Sequence, residues 1–176
     1  LLSSAAIQVF SRALHLCVLC LAFFLAGCYP DYNWRVMPIA DGVVSVAFPA
    51  RVNSQSRPIE LAGVQLDYHV ESARVDNNIF AFGYARLPEG LDAEKRKAIV
   101  DALTDNLFRS LGATPGEQAR QGKPFVIESA HGTNPLLVAG RVLEHRGLVI
   151  RMMASGPVAE LPEKMALEFI GSLELR

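Results

Sequence analysis

The chain has 176 residues, of which 51% are hydrophobic, with 17 Lys+Arg against 18 Asp+Glu and a formal net charge of −1. That balance leaves no basic footprint for nucleic acid, and the length suits one domain around one core. The mean hydropathy of +0.23 owes part of its value to the N-terminus, where the first predicted element lies.

Residues 13–26 contain no Lys, Arg, Asp or Glu. As a helix the run spans only about 21 Å at ~1.5 Å per residue, short of a ~30 Å bilayer core. It has the length of the h-region of a secretory signal, with Arg12 before it and no acid before Asp31. Small residues and a thiol close it: Leu25-Ala26-Gly27-Cys28.

These four residues resemble the bacterial lipobox at every position. The resemblance implies cleavage between Gly27 and Cys28, a diacylglyceryl group on the Cys28 sulfur and an N-acyl chain on the new amino terminus. Residues 1–27 are then a signal peptide and residues 28–42 a lipidated N-terminus and tether. Two acyl chains anchor stably, at ~0.8 kcal/mol per buried CH₂. Tyr29 after the Cys, in place of Asp, resembles the default that sorts lipoproteins to the periplasmic face of the outer membrane. Arg12 is the only Lys, Arg, Asp or Glu before Cys28, so the mature part stays mildly acidic and is not strongly drawn to anionic lipid. Cys17 and Cys20 form a C-x-x-C, which can read as a redox pair, but both fall in the removed segment. With the Cys28 sulfur lipidated, no disulfide is expected.

Within the tether, Tyr29, Tyr32 and Trp34 either sit at the headgroups or, for Trp34 and Met37, pack on the domain. The domain proper is expected over residues 43–176. Asp41-Gly42 marks a turn, and Val43 to Phe48 reads as a strand stopped by Pro49. A short strand is expected from Ser56 to Leu61, with Ala62-Gly63 as its turn. Val64, Leu66, Tyr68 and Val70 then alternate with Gln65, Asp67, His69 and Glu71. Period two with one apolar face predicts a half-buried antiparallel strand. After the Asp76-Asn77-Asn78 turn, Ile79 to Leu87 reads as a strand. Phe80, Phe82 and Tyr84 lie on one side; small Ala81, Gly83 and Ala85 on the other predict a close neighbour, a helix.

Asp92 is placed to cap a helix that runs to Leu111 and stops at Gly112. Ile99, Leu103, Leu107 and Leu111 recur every four residues, widened by Val100 and Phe108. Lys97/Asp101 and Asp105/Arg109 are expected i,i+4 pairs on its wet face. Thr114 to Lys123 reads as a loop. Strands follow at Phe125–Ala130, Leu136–His145 and Leu148–Ser155, the last two joined at Arg146-Gly147. A helix over about Leu161–Ile170, with Met165, Phe169 and Ile170 inward, precedes the closing Ser172-Leu173-Glu174-Leu175.

This order predicts an α+β class: an antiparallel sheet of about six or seven strands flanked by two main helices. Several short pieces resemble the PsbP-like α/β/α sandwich family, which includes DcrB-like bacterial lipoproteins. They are Asp41-Gly42 leading into Val44-Ser45-Val46-Ala47-Phe48-Pro49, the Gly122-Lys123-Pro124 turn, Arg141 with the hairpin through Leu148 to Gly156-Pro157, and Phe169-Ile170-Gly171-Ser172-Leu173. The last departs from the family at Gly171 and Leu173, where Asp and Phe are usual. The resemblance implies this fold, no shared catalytic centre, and members that mostly act as binding or assembly factors; fold alone does not carry function.

No Gly-x-Ser-x-Gly elbow, Walker loop, dinucleotide glycine pattern or His-Glu-x-x-His occurs. Asp67, His69 and Glu71 share a strand face, as metal ligands or as a solvated surface. His131, beside Thr133 and Asn134, is a loop residue or a base. Three readings stand: a non-catalytic envelope lipoprotein with a protein partner, a carrier of a small apolar ligand lined by Phe80, Phe82 and Tyr84, and an enzyme with titratable groups gathered in a cleft. The first is the expectation, with no catalytic residue, metal or cofactor beyond the lipid at Cys28.

Overall fold

A computed structural model describes residues 32–129 and 135–176. Leu25, Ala26, Gly27 and Cys28, the signal segment, and His131 with Thr133 and Asn134 lie outside the described residues. The elements are β1 (Arg35–Ile39), β2 (Val44–Phe48), β3 (Val52–Leu61), β4 (Val64–Val75), β5 (Asn78–Arg86), α1 (Ala93–Ser110), α2 (Glu117–Arg120), β6 (Phe125–Ser129), β7 (Leu136–His145), β8 (Leu148–Pro157), α3 (Glu163–Gly171) and β9 (Glu174–Leu175).

The class is the expected one. Six antiparallel strands form the main sheet in the order β3-β4-β5-β8-β7-β6, and β1-β2-β9 form a small second sheet. Alternation along each strand sends neighbours to opposite faces, and so makes two cores. On one face α1 lays Ile99, Leu103 and Leu107 on Tyr68, Ala85, Val142 and Val149. On the other, α3 and the small sheet bury Phe48, Phe80, Phe82, Ile150, Met152 and Phe169. Full burial of side chains this size contributes about 1.5–3 kcal/mol each. Their rings meet edge-on or tilted: Phe80–Phe169 at 5.4 Å and Phe48–Phe169 at 5.5 Å between centroids.

The Asp92 carboxylate accepts from the Lys95 N–H at 2.7 Å, capping α1, and Gly112 adopts φ +65° after its end. Lys97 and Asp101 pair at 2.6 Å. Asp105 accepts from Arg120 at 3.0 Å, whereas Arg109 turns to Asn106. The expected Asp105/Arg109 pair is displaced because α2, a single turn inside the expected loop, brings Arg120 against α1.

Residues 32–42 correct the expected tether over 28–42. Arg35–Ile39 is a strand paired with β2, from Arg35 opposite Phe48 to Ile39 opposite Val44. Tyr32 and Trp34 set their rings against Phe80 at 6.0 and 6.3 Å, so Trp34 packs on the domain. Five residues interrupted by Pro38 give too little alternation to signal a strand. The strand expected from Ser56 begins at Val52; its polar first half hides the pattern. At Gly83 the close neighbour is Tyr68 from the adjacent strand: a Cβ there would collide with its hydroxyl. The helix lies over the same face, further along at Ala85.

Candidate functional site

The face shared by β3, β4 and β5 is covered at one end only. Ala73 and Val75 on β4, with Phe80 and Phe82 on β5, lie under α3 and the small sheet. Further along the same face come Glu71, His69, Asp67 and Gln65 on β4, Tyr84 and Arg86 on β5, and Ser54 on β3. α3 does not reach them. β1 and its turn, Met37 to Asp41, stand opposite as a second wall, and Arg86 to Glu89 close one end. The result is an open groove of about 830 Å³.

Register sets its internal geometry. His69 is opposite Tyr84, and their rings stack at 5.1 Å and 21°. Ser54 is opposite Glu71, and its hydroxyl donates to that carboxylate. Arg86 donates to Asp41 at 3.4 Å; both are largely exposed, so the pair contributes about 0–1 kcal/mol. Burial, then the nearby Glu71 and Asp41 carboxylates, raises the Tyr84 hydroxyl above its ordinary pKa, keeping it a neutral donor. Asp41, Asp67, Glu71 and Glu89 against Arg86 make the lining acidic.

Asp67, His69 and Glu71 thus form the groove floor. Among the described residues no group of three His, Cys, Asp or Glu is placed to hold a metal ion. Same-face positions on a strand stand roughly 6.8 Å apart, so these side chains rise side by side rather than converge. Glu144 accepts from the Gly147 N–H at 2.9 Å and braces the β7–β8 turn, and His145 Nε2, 3.1 Å from the Arg176 backbone oxygen, ties residue 176 to the hairpin. Of Phe80, Phe82 and Tyr84, the wall expected for an apolar ligand, Phe80 and Phe82 are fully buried against protein and Tyr84 lines the groove.

Two buried polar side chains lie away from the groove. The Tyr68 hydroxyl has no hydrogen-bond partner among the described residues; burial raises its pKa, and the Arg151 guanidinium lies 5.5 Å from its ring centroid. Asn78 donates to the Tyr32 hydroxyl at 3.4 Å and to the Glu160 carbonyl at 3.3 Å, fastening the start of the domain. No helix among the described residues is long and apolar enough to cross a membrane.

The groove lining comes from residues 37–41, Ser54 and positions between 65 and 89, which period-two patterning cannot join. Only the Gln65-Asp67-His69-Glu71 row is visible in the sequence, and there it reads equally well as solvated surface.

No protein-family model matches the chain, and no curated protein matches it. Among solved structures it is similar to the solution structure of cyanobacterial PsbP (CyanoP) from Synechocystis sp. PCC 6803, with a TM-score of 0.43 and 10% identity over 86% of this chain and 96% of that one. A similarity of this degree assigns neither family nor activity.

Proposed function

We propose that this chain is a lipid-anchored bacterial envelope protein that acts by binding a protein partner rather than by catalysis. Cys28 is its anchor, and the face toward the periplasm, from the outer membrane, carries the binding groove. The observation that supports binding is the groove itself: a polar opening beside the end of the sheet face that α3 and the small sheet cover. Among the described residues no serine, threonine or cysteine is hydrogen-bonded to a histidine, so its chemistry favours recognition over group transfer.

The anchor fixes an orientation. Only residues 29–31 separate Cys28 from Tyr32, a reach of about 14 Å fully extended. Tyr32 is held beside Asn78 at the start of β5, whereas Arg86 at the end of β5 holds Asp41. A nine-residue strand spans roughly 30 Å. The Asn78 end therefore rests near the lipid, and the Asp41 end of the groove points away from it.

Intact-mass analysis of the native protein, with crosslinking capture from envelope fractions, tests this reading. We expect Cys28 as an acylated N-terminus and a partner whose capture is lost in Glu71→Arg. An unmodified Cys28 removes the anchor. Recovery of bound lipid and no partner supports the apolar carrier instead.

A further inference from the structure

We propose that the groove takes an extended segment of a partner protein carrying Lys or Arg at alternate positions, added as a strand to the free edge of β1. The inference rests on the groove being the binding face and names the chemistry of its occupant.

β1 is the outer strand of the small sheet, paired on one side with β2. Pro38, opposite Ser45, has no N–H, so its position cannot be one that exchanges bonds with β2. Alternation then turns the N–H and C=O of Val36 away from β2 as well. Ala47 agrees: opposite Val36, it gives its N–H to the Ser172 hydroxyl at 3.1 Å, on the side away from β1. The outer edge of β1 thus offers the Val36 N–H and C=O and the Pro38 C=O. Val36 is 65% exposed; nothing within the described residues covers it. Edges of this kind are where strands of other chains add.

Charge selects the strand. Arg86 is held by Asp41, and among the described residues Asp67, Glu71 and Glu89 on the lining have no cationic partner. Asp67, His69 and Glu71 stand at alternate positions of β4, at the roughly 6.8 Å spacing of alternate side chains in an extended peptide. In the proposed pose the strand added along β1 directs every second side chain at this row, where ammonium or guanidinium groups meet carboxylates. The missing Pro38 N–H limits the edge to short pairings, which guards against open-ended sheet growth.

The test uses the mature lipidated chain in neutral detergent micelles. A fluorescein-labelled peptide of alternating Lys and Thr is titrated by anisotropy, with alternating Glu and Thr as control. We expect the Lys peptide to bind about tenfold or more tightly than the Glu peptide, and to weaken severalfold between ~50 and ~300 mM salt. Val36→Pro removes the outward N–H without removing a bond to β2 and is expected to weaken binding about fivefold. Asp67→Asn with Glu71→Gln, both on the open face, is expected to weaken it about tenfold and serves if Val36→Pro does not fold. Equal binding of the two peptides overturns the proposal, as does Lys-peptide binding untouched by either variant. If the Lys peptide fails while the envelope partner is still captured through Glu71, the occupant is wrong and the binding face stands. If both fail, the reading of the groove falls with it.

Discussion

One strand, β4, crosses two environments on a single face. Ala73 and Val75 are buried under α3 and the small sheet. Asp67, His69 and Glu71, on the same side of the same strand, line an open groove. The covered end draws its energy from buried apolar and aromatic packing, where lost volume is costly. The open end contributes little to folding and holds the polar groups free to meet something else. Stability and the proposed recognition are thus divided along a strand, not between domains.

The sharpest way to break this comparison is to exchange the costs. Phe82→Ala, two residues from Tyr84 but on the covered side, is expected to destabilise by about 3–5 kcal/mol, read from the denaturation midpoint. Glu71→Gln, its cross-strand neighbour at the boundary, is expected to stay within about 0.5 kcal/mol. Comparable losses at both would show that the groove is structural.

Gly83→Ala extends the contrast to the other face. The new Cβ meets the Tyr68 hydroxyl, and overpacking there is expected to cost about 1–3 kcal/mol. Adding Tyr68→Phe removes an oxygen that has no partner among the described residues and is expected to recover part of that loss. A thermal-melt double-mutant cycle reads the coupling.

The α1 cap is a smaller effect. Asp92→Ala removes one bond to Lys95 and is expected to cost about 1 kcal/mol while leaving groove binding unchanged.

The smallest effect concerns the C-terminal strand. The Ser45 hydroxyl donates to Glu174 at 2.8 Å, and this bond, then Arg176, lowers the Glu174 pKa. A depressed carboxyl stabilises above its unfolded pKa, and that contribution is lost as pH falls through the folded value. Protection of the β9 amides, relative to their intrinsic exchange at each pH, is expected to fall in that acid window, and Ser45→Ala is expected to reduce that loss while Arg176 retains part of it. Because Glu174 is exposed, the change stays local.

How much of this was legible depended on the range over which each signal is written. Lipobox-like Leu25-Ala26-Gly27-Cys28, the Asp92 cap and the four-residue apolar stripe of α1 are local patterns, and the last two appear where expected. The alternation from Val64 to Glu71 correctly gives a strand with two faces. It does not say how far cover extends along one of them, because that depends on where α3 docks. β1 was hidden by its length and by Pro38, and α2 by being one turn in a stretch holding Pro115, Gly116 and Gly122. The Asp41–Arg86 contact joins elements more than forty residues apart, so the groove could not be assembled from sequence alone.

Photocrosslinking from the two ends of β4 in intact cells tests the central claim most directly. A benzophenone amino acid placed at Asp67, in the groove, is expected to yield protein adducts. The same group at Asp76, in the turn near Tyr32, is expected to yield phospholipid adducts. Lipid captured from position 67 and protein from position 76 would contradict both the orientation and the binding face.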